Sequence, residues 1–152
     1  MLKTDGGQHA LAFDPYNNII YEVNHPTGPD GKVKNGMLSW LTGGPKSVGY
    51  QWNMSNPKQA AAFWSFNGGR GELQLAPVSI SDPAAATAFF AGQTGETWDY
   101  NLFTNNCKNY AIQGFQLGGA QLNTGGPYPA NWTNSQFIGY WNSSMAGPTF
   151  VP

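Results

Sequence analysis

The sequence predicts an α+β domain, a small antiparallel sheet with segregated helices, and three observations carry that prediction. Two β-prone runs near the start, "HALAF" (His9 to Phe13) and "IIYEV" (Ile19 to Val23), flank the turn-rich "DPYNN" and read as a hairpin. Two later stretches, "SNPKQAAAFWSF" and "SDPAAATAFFAG", open with a capping side chain, then proline, then alanines, as helices do. A third candidate helix, "TNNCKNYAIQGFQLGG", closes on two glycines. Strands and helices mixed in this way, with no internal repeat, favour α+β.

In chain order, the hairpin turns about Tyr16 and Asn17, and a Gly/Pro-rich stretch from Asn24 to Tyr50 reads as loops with one or two short strands. Ser55 or Asn56 caps the next helix, with Pro57 in its first position. "GELQLAPVSI" (Gly71 to Ile80) alternates like a strand, and the following helix stops at Gly92. Thr104 is the expected cap of the third helix, whose partly apolar face is Ala111, Ile112, Phe115 and Leu117 and whose end is Gly118-Gly119. The tail holds a further short helix beginning near Asn131 to Asn134.

The chain of 152 residues fits one domain, 1–152, with 40% apolar and 14% aromatic residues, ample for a core. Only 10% of residues are charged, so the polar surface is mostly neutral amide and hydroxyl. A net charge of −1 gives no electrostatic footprint for nucleic acid or an acidic membrane surface. No apolar run approaches the roughly 20 residues needed to span a bilayer, and the first ten residues lack the apolar stretch of a signal peptide. Such a chain is expected to stay inside, to leave by a route needing no such signal, or to be a domain of a longer protein. One cysteine excludes an internal disulfide framework and no Cys/His cluster has zinc spacing, so neither metal nor cofactor is expected.

That cysteine, Cys107, lies in the first turn of its expected helix, where free N–H groups and the helix dipole favour the thiolate. A nucleophilic cysteine needs a base, and the histidines are His9 and His25. His9, in the first strand, lies opposite Asn24 if the hairpin turns at Tyr16-Asn17, so Asn24 would orient its imidazole. A register slip of two residues would bring Glu22 there instead, and a slip of one would bring His25. Asn105 and Asn106 are candidate oxyanion donors beside the Cys107 N–H, or simply shape the turn. Against this stand plainer readings: an inert buried cysteine, a satisfied strand histidine, and Glu22 and His25 as solvent-facing residues at the edge of a loop. The aromatic residues at 63, 64, 66, 89, 90, 98 and 141 read as core. Three N-x-S/T triplets are matters of chance in so asparagine-rich a chain.

"GQHALAF" early, a partner strand next and "YNLFTNNCKNYA" late together resemble the circularly permuted papain-like cysteine hydrolases, the NlpC-like and lecithin:retinol-acyltransferase-like group. The likeness extends to toxin-type domains of bacterial Rhs and type VI secretion effectors, with "QHA" at 8–10, "PKQAAAF" at 57–63, "TNNC" at 104–107 and "YPANW" at 128–132 as counterparts. It covers most of the chain in order, in short motifs. Gln8 stands where that group has glycine, and no motif fixes the third catalytic residue. The resemblance implies a permuted papain-like fold, Cys107 as nucleophile, His9 as base, and cleavage of peptide or amide bonds, most often in peptidoglycan. It also implies an effector exported without a signal peptide to act in a target cell's periplasm, and a cognate immunity protein over the cleft. Proteolysis or deamidation of a protein target is the alternative within the fold. Outside it, the Trp/Tyr/Asn/Gly richness suits a non-catalytic carbohydrate-binding module.

Overall fold

The computed structural model describes residues 2–4, 7–25, 47–67, 71–75, 77–100, 105–121 and 149–150. Within them lie two four-stranded antiparallel sheets and three helices. The first sheet is formed by β1 (Leu2–Thr4), β2 (Gly7–His9), β6 (Gly71–Gln74) and β8 (Thr149–Phe150), in the order β2-β1-β6-β8. The second contains β3 (Ala12–Asp14), β4 (Ile19–Asn24), β5 (Ser47–Asn53) and β7 (Thr97–Trp98), in the order β3-β4-β5-β7. The helices are α1 (Pro57–Phe66), α2 (Pro83–Gly92) and α3 (Cys107–Leu117).

The hairpin forms in the register its turn requires, with Ala12 opposite Tyr21, Phe13 opposite Ile20 and Asp14 opposite Ile19. Asp14 builds the turn, its carboxylate accepting from the N–H groups of Tyr16 and Asn17 at 2.9 and 3.2 Å. The expected first strand, however, is not continuous. Its first part, Gly7–His9, pairs with Leu2–Thr4 in the other sheet, with His9 opposite Leu2. The chain thus changes sheet at Ala10-Leu11, and no residue of β3 lies across from Glu22, Val23 or Asn24. On its other edge β4 is fully paired with β5, from Ile19–Asn53 to Asn24–Val48.

Alternation along β4 divides the core. Tyr21 and Val23 point to one side, where Ala10, Ala12, Ala86, Phe90, Cys107 and Tyr110 complete a buried cluster under α2 and α3. Ile20 points to the other, where Leu11, Leu73 and Phe63 of α1 pack with Trp52 and Trp64. The helices start where cap chemistry dictates: Asn56 accepts from Lys58 and Gln59, Asp82 accepts from Ala85, and proline follows each cap. Gly119 adopts a positive φ of 81° just past α3, and the Ala120 N–H returns to the Phe115 carbonyl at 2.9 Å, closing that helix as expected.

Three further expectations are corrected. The strand of Gly71 to Ile80 ends at Gln74, within a stretch whose residues 77–80 are irregular. The α3 cap is Asn106, not Thr104: its side chain accepts from Lys108 and Asn109 while Asn109 returns to the Asn106 N–H, a reciprocal capping box. β5 is a seven-residue strand where only loops and short strands were expected. The tail helix near Asn131 and the aromatic at 141 lie outside the described residues, whereas Phe63 and Phe90 are buried and Trp64, Phe66, Phe89 and Trp98 are half-buried. No helix among the described residues is long and apolar enough to cross a membrane.

Gly114 fixes the approach of α3 to α2. A Cβ there would lie 2.1 Å from Cζ of Phe90, a ring already enclosed by Tyr21, Phe89, Tyr110 and Phe115. Gly114→Ala gains about 1 kcal/mol of helix propensity but overpacks the core at a cost of about 1–3 kcal/mol. The expected outcome is a net loss of stability, read as a lower denaturation midpoint; a rise would show that Phe90 can move aside.

Candidate active site

The change of sheet at Ala10-Leu11 builds the site. It leaves the end of β4 without a partner on its β3 side, and His9 occupies that edge. Its Nε2 lies 2.8 Å from Oε2 of Glu22, which is fully buried. Glu22 is held from behind: Oε1 accepts from the Trp52 indole at 2.6 Å and from the Asn67 amide at 3.1 Å. Asn67 is the C-cap residue of α1, so the end of that helix and a tryptophan of β5 together fix the carboxylate. With Nε2 committed to Glu22, Nδ1 is the ring nitrogen left for the neighbouring charge of Cys107.

Cys107 approaches from the opposite face of the sheet. It is the first residue of α3 and only 4% exposed. Its Sγ accepts the Ala10 N–H at 3.4 Å, a bond available because Ala10 has left the ladder. Asn106 caps the second and third N–H groups of α3, those of Lys108 and Asn109. The first, that of Cys107, is not capped by Asn106, and the Tyr100 hydroxyl lies near enough to Cys107 to be influenced by its charge. The Tyr100 ring is braced edge-on by His25 at a centroid distance of 4.8 Å, and His25 Nδ1 lies 3.2 Å from the Ser47 hydroxyl.

The electrostatics favour a separated charge pair. Burial would lower the pKa of His9, but the facing thiolate, and after it Glu22, overcome this and push it up to about 10. Burial would raise that of Cys107, yet the imidazolium, the Ala10 N–H and the neighbouring Lys108 hold it below the ordinary thiol range. Burial, then the thiolate, raises the Tyr100 hydroxyl, which keeps its proton and can donate it in a hydrogen bond.

Cys107, His9 and Glu22 therefore come together, and Asn24 does not join them. The register that places Asn24 opposite position 9 does hold, but His9 has left the hairpin before reaching that level. The Asn24 amide instead donates to Asn67 Oδ1 at 3.4 Å, so it touches the residue that holds Glu22 rather than the imidazole. Glu22 and His25, read on the plainer view as solvent-facing, are both buried. Asn105 and Asn106 shape the turn: the Asn105 amide donates to the Asp99 carbonyl at 2.7 Å, and the Asn106 side-chain oxygen serves the cap. Tyr100 went unforeseen, because nothing in "WDYNLFTNNC" separates it from the other aromatics nearby. Among the described residues no group of three His, Cys, Asp or Glu is arranged to hold a metal ion.

Compared with known proteins, the chain matches no family model, no curated protein and no solved structure. The reading of the site rests on its chemistry.

Glu22→Gln tests that chemistry with little change of shape. The amide oxygen introduced there can still accept from Trp52 and Asn67, but the amide NH2 would then face His9 Nε2 and require it to accept. The neutral ring would carry its proton on Nδ1, toward the sulfur, and could not take one from it. The expected result is that His9 titrates at lower pH than in the wild type, followed by its imidazole NMR signals. An unchanged titration would show that Glu22 is not its electrostatic partner.

Proposed function

We propose that the protein is a cysteine hydrolase that cleaves peptide or amide bonds through a thioester, with Cys107 as nucleophile, His9 as general base and acid, and Glu22 as the residue that orients and charges His9. The observation that carries this reading is the ion pair of His9 with the buried Glu22 at 2.8 Å, beside a Cys107 whose sulfur stands at a helix N-terminus and accepts the N–H of Ala10, the residue after His9. The Cys107 thiolate attacks the carbonyl carbon, and the carbon–oxygen π electrons move onto oxygen. That oxygen takes the Cys107 N–H, which Asn106 does not cap, and a hydrogen bond from the nearby Tyr100 hydroxyl. His9 donates its proton to the leaving amine as the C–N bond breaks. It then removes a proton from water, which attacks the thioester and restores the thiolate.

A histidine strand preceding the cysteine helix is also the order of the permuted papain-like hydrolases, which makes that arrangement the proposed fold. The short motifs shared with bacterial effector toxins extend the proposal to peptide bonds of peptidoglycan and to a cognate immunity protein over His9 and Cys107. Against a carbohydrate-binding module stands the placement of the described tryptophans. Trp52, Trp64 and Trp98 pack against the core, and the exposed large hydrophobic residues among those described are Tyr16 and Leu117.

Alkylation by iodoacetamide measures the nucleophile directly. The wild-type thiol is expected to react with a half-maximal rate below the ordinary thiol value of about 8.5. In His9→Ala the opposing effect of burial takes over and the midpoint moves above it. A wild-type thiol inert until unfolding ends the hydrolase reading. With a substrate in hand, peptidoglycan fragments first and peptides second, activity is expected to hold up to about pH 10, where His9 loses its proton.

Tyr100→Phe separates the oxyanion step from the formation of the thiolate. Turnover is expected to fall about 10²–10³-fold, the usual effect of removing one oxyanion donor, while alkylation persists. Loss of both together would instead place Tyr100 in the support of the thiolate.

A further inference from the structure

Asn24 does not touch the imidazole, yet the hydrogen bonds of its side chain run toward it. Asn24 Oδ1 accepts from the backbone N–H of His25 at 2.8 Å, and the Asn24 amide nitrogen donates to Asn67 Oδ1 at 3.4 Å. The Asn67 nitrogen donates in turn to Oε1 of Glu22 and to the Phe63 carbonyl, each at 3.1 Å. Glu22 meets His9 with its other oxygen.

The direction of this chain is fixed at its origin. A backbone N–H can only donate, so the Asn24 amide must turn its oxygen to His25 and its nitrogen to Asn67. Asn67 must then present its oxygen to Asn24 and its nitrogen to Glu22. The Trp52 indole, likewise only a donor, serves the same Oε1 at 2.6 Å. Two donors thus stand behind the carboxylate, and bonds aligned head to tail strengthen one another.

What those donors accomplish rests on the hydrolase reading above. When the C–N bond breaks, its electron pair goes to the amine nitrogen, which takes the Nδ1 proton of His9. A carboxylate that grips the Nε2 proton tightly makes the ring more basic and slows that transfer. Donors at Oε1 spread the charge of Glu22 and slacken its grip. We propose that Asn24 is a positioning residue acting on His9 at two removes, through Asn67 and Glu22. The directed chain from the His25 N–H draws charge off the carboxylate, so that His9 releases its proton to the leaving amine.

The titration midpoint of His9, followed by its imidazole NMR signals, tests the chain without knowledge of the substrate. Asn24→Leu nearly keeps the shape and the charge of the site but removes both bonds. The carboxylate then grips harder, and the midpoint is expected to rise by about half a pH unit, the scale of one neutral hydrogen bond. Asn67→Leu is expected to raise it further. Asn24→Leu added to Asn67→Leu is expected to change nothing more, because the link is already cut. A midpoint unmoved in Asn24→Leu, or a shift of equal size in both backgrounds, overturns the chain and leaves the hydrolase reading standing. A wild-type thiol inert to iodoacetamide overturns both. A second measurement needs no variant. As His9 loses its proton, Glu22 loses its ion-pair partner and pulls harder on its donors, so the side-chain amide signals of Asn67 are expected to follow the His9 titration. Amide signals indifferent to that titration overturn the chain.

Discussion

A buried carboxylate is the constraint around which the rest of this structure is arranged. Glu22 sits in the middle of a central strand with none of its side chain exposed. A charge in that position is tolerated only when its lone pairs are met by donors and an opposite charge lies close by. Three separate parts of the chain meet that demand: the indole of Trp52 from β5, the amide of Asn67 at the end of α1, and the imidazole of His9 from the neighbouring sheet. Each of these residues is placed by its own element, so the position of the carboxylate records the assembly of the whole domain.

His9 stands where the two halves of the core meet. Ile20 and Tyr21 belong to opposite clusters, and Glu22 shares the side of Ile20 while Cys107 shares that of Tyr21. Only a group at the edge of the sheet can touch both. That edge is open because the chain leaves the hairpin at Ala12, and the departure that frees the edge also frees the Ala10 N–H to meet the sulfur. A single irregularity in one strand thus aligns the base with its carboxylate and supplies the thiolate with a donor.

This explains which parts of the site were legible in the sequence. The turn at Asp14-Pro15 fixes the hairpin register, and Ala12 does face Tyr21 as that register requires. Cys107 at a helix start could be read from cap chemistry, although the cap is Asn106 and its box is closed by Asn109 rather than by the more usual glutamate or glutamine. The end of the strand could not be read. His9 leaves for Leu2–Thr4, a strand of three residues with no periodic signal of its own, and that pairing is a tertiary choice. Without it, register arithmetic extends too far and favours Asn24 over Glu22. Tyr100 escaped for a different reason: its significance lies in what it stands beside, and no local pattern announces that.

The donor that Ala10 gives to the sulfur belongs to the backbone, and this has a consequence for how the protein can vary. The bond does not depend on which side chain stands at position 10, so most replacements there would be judged only by size, in a site 3% exposed. Proline alone removes the N–H outright. A comparison of related sequences would record position 10 as a small residue in the core, and nothing in its chemistry would mark it as part of the nucleophile's surroundings. A determinant of reactivity can in this way drift freely in identity while remaining fixed in space, and it becomes visible only through the coordinates.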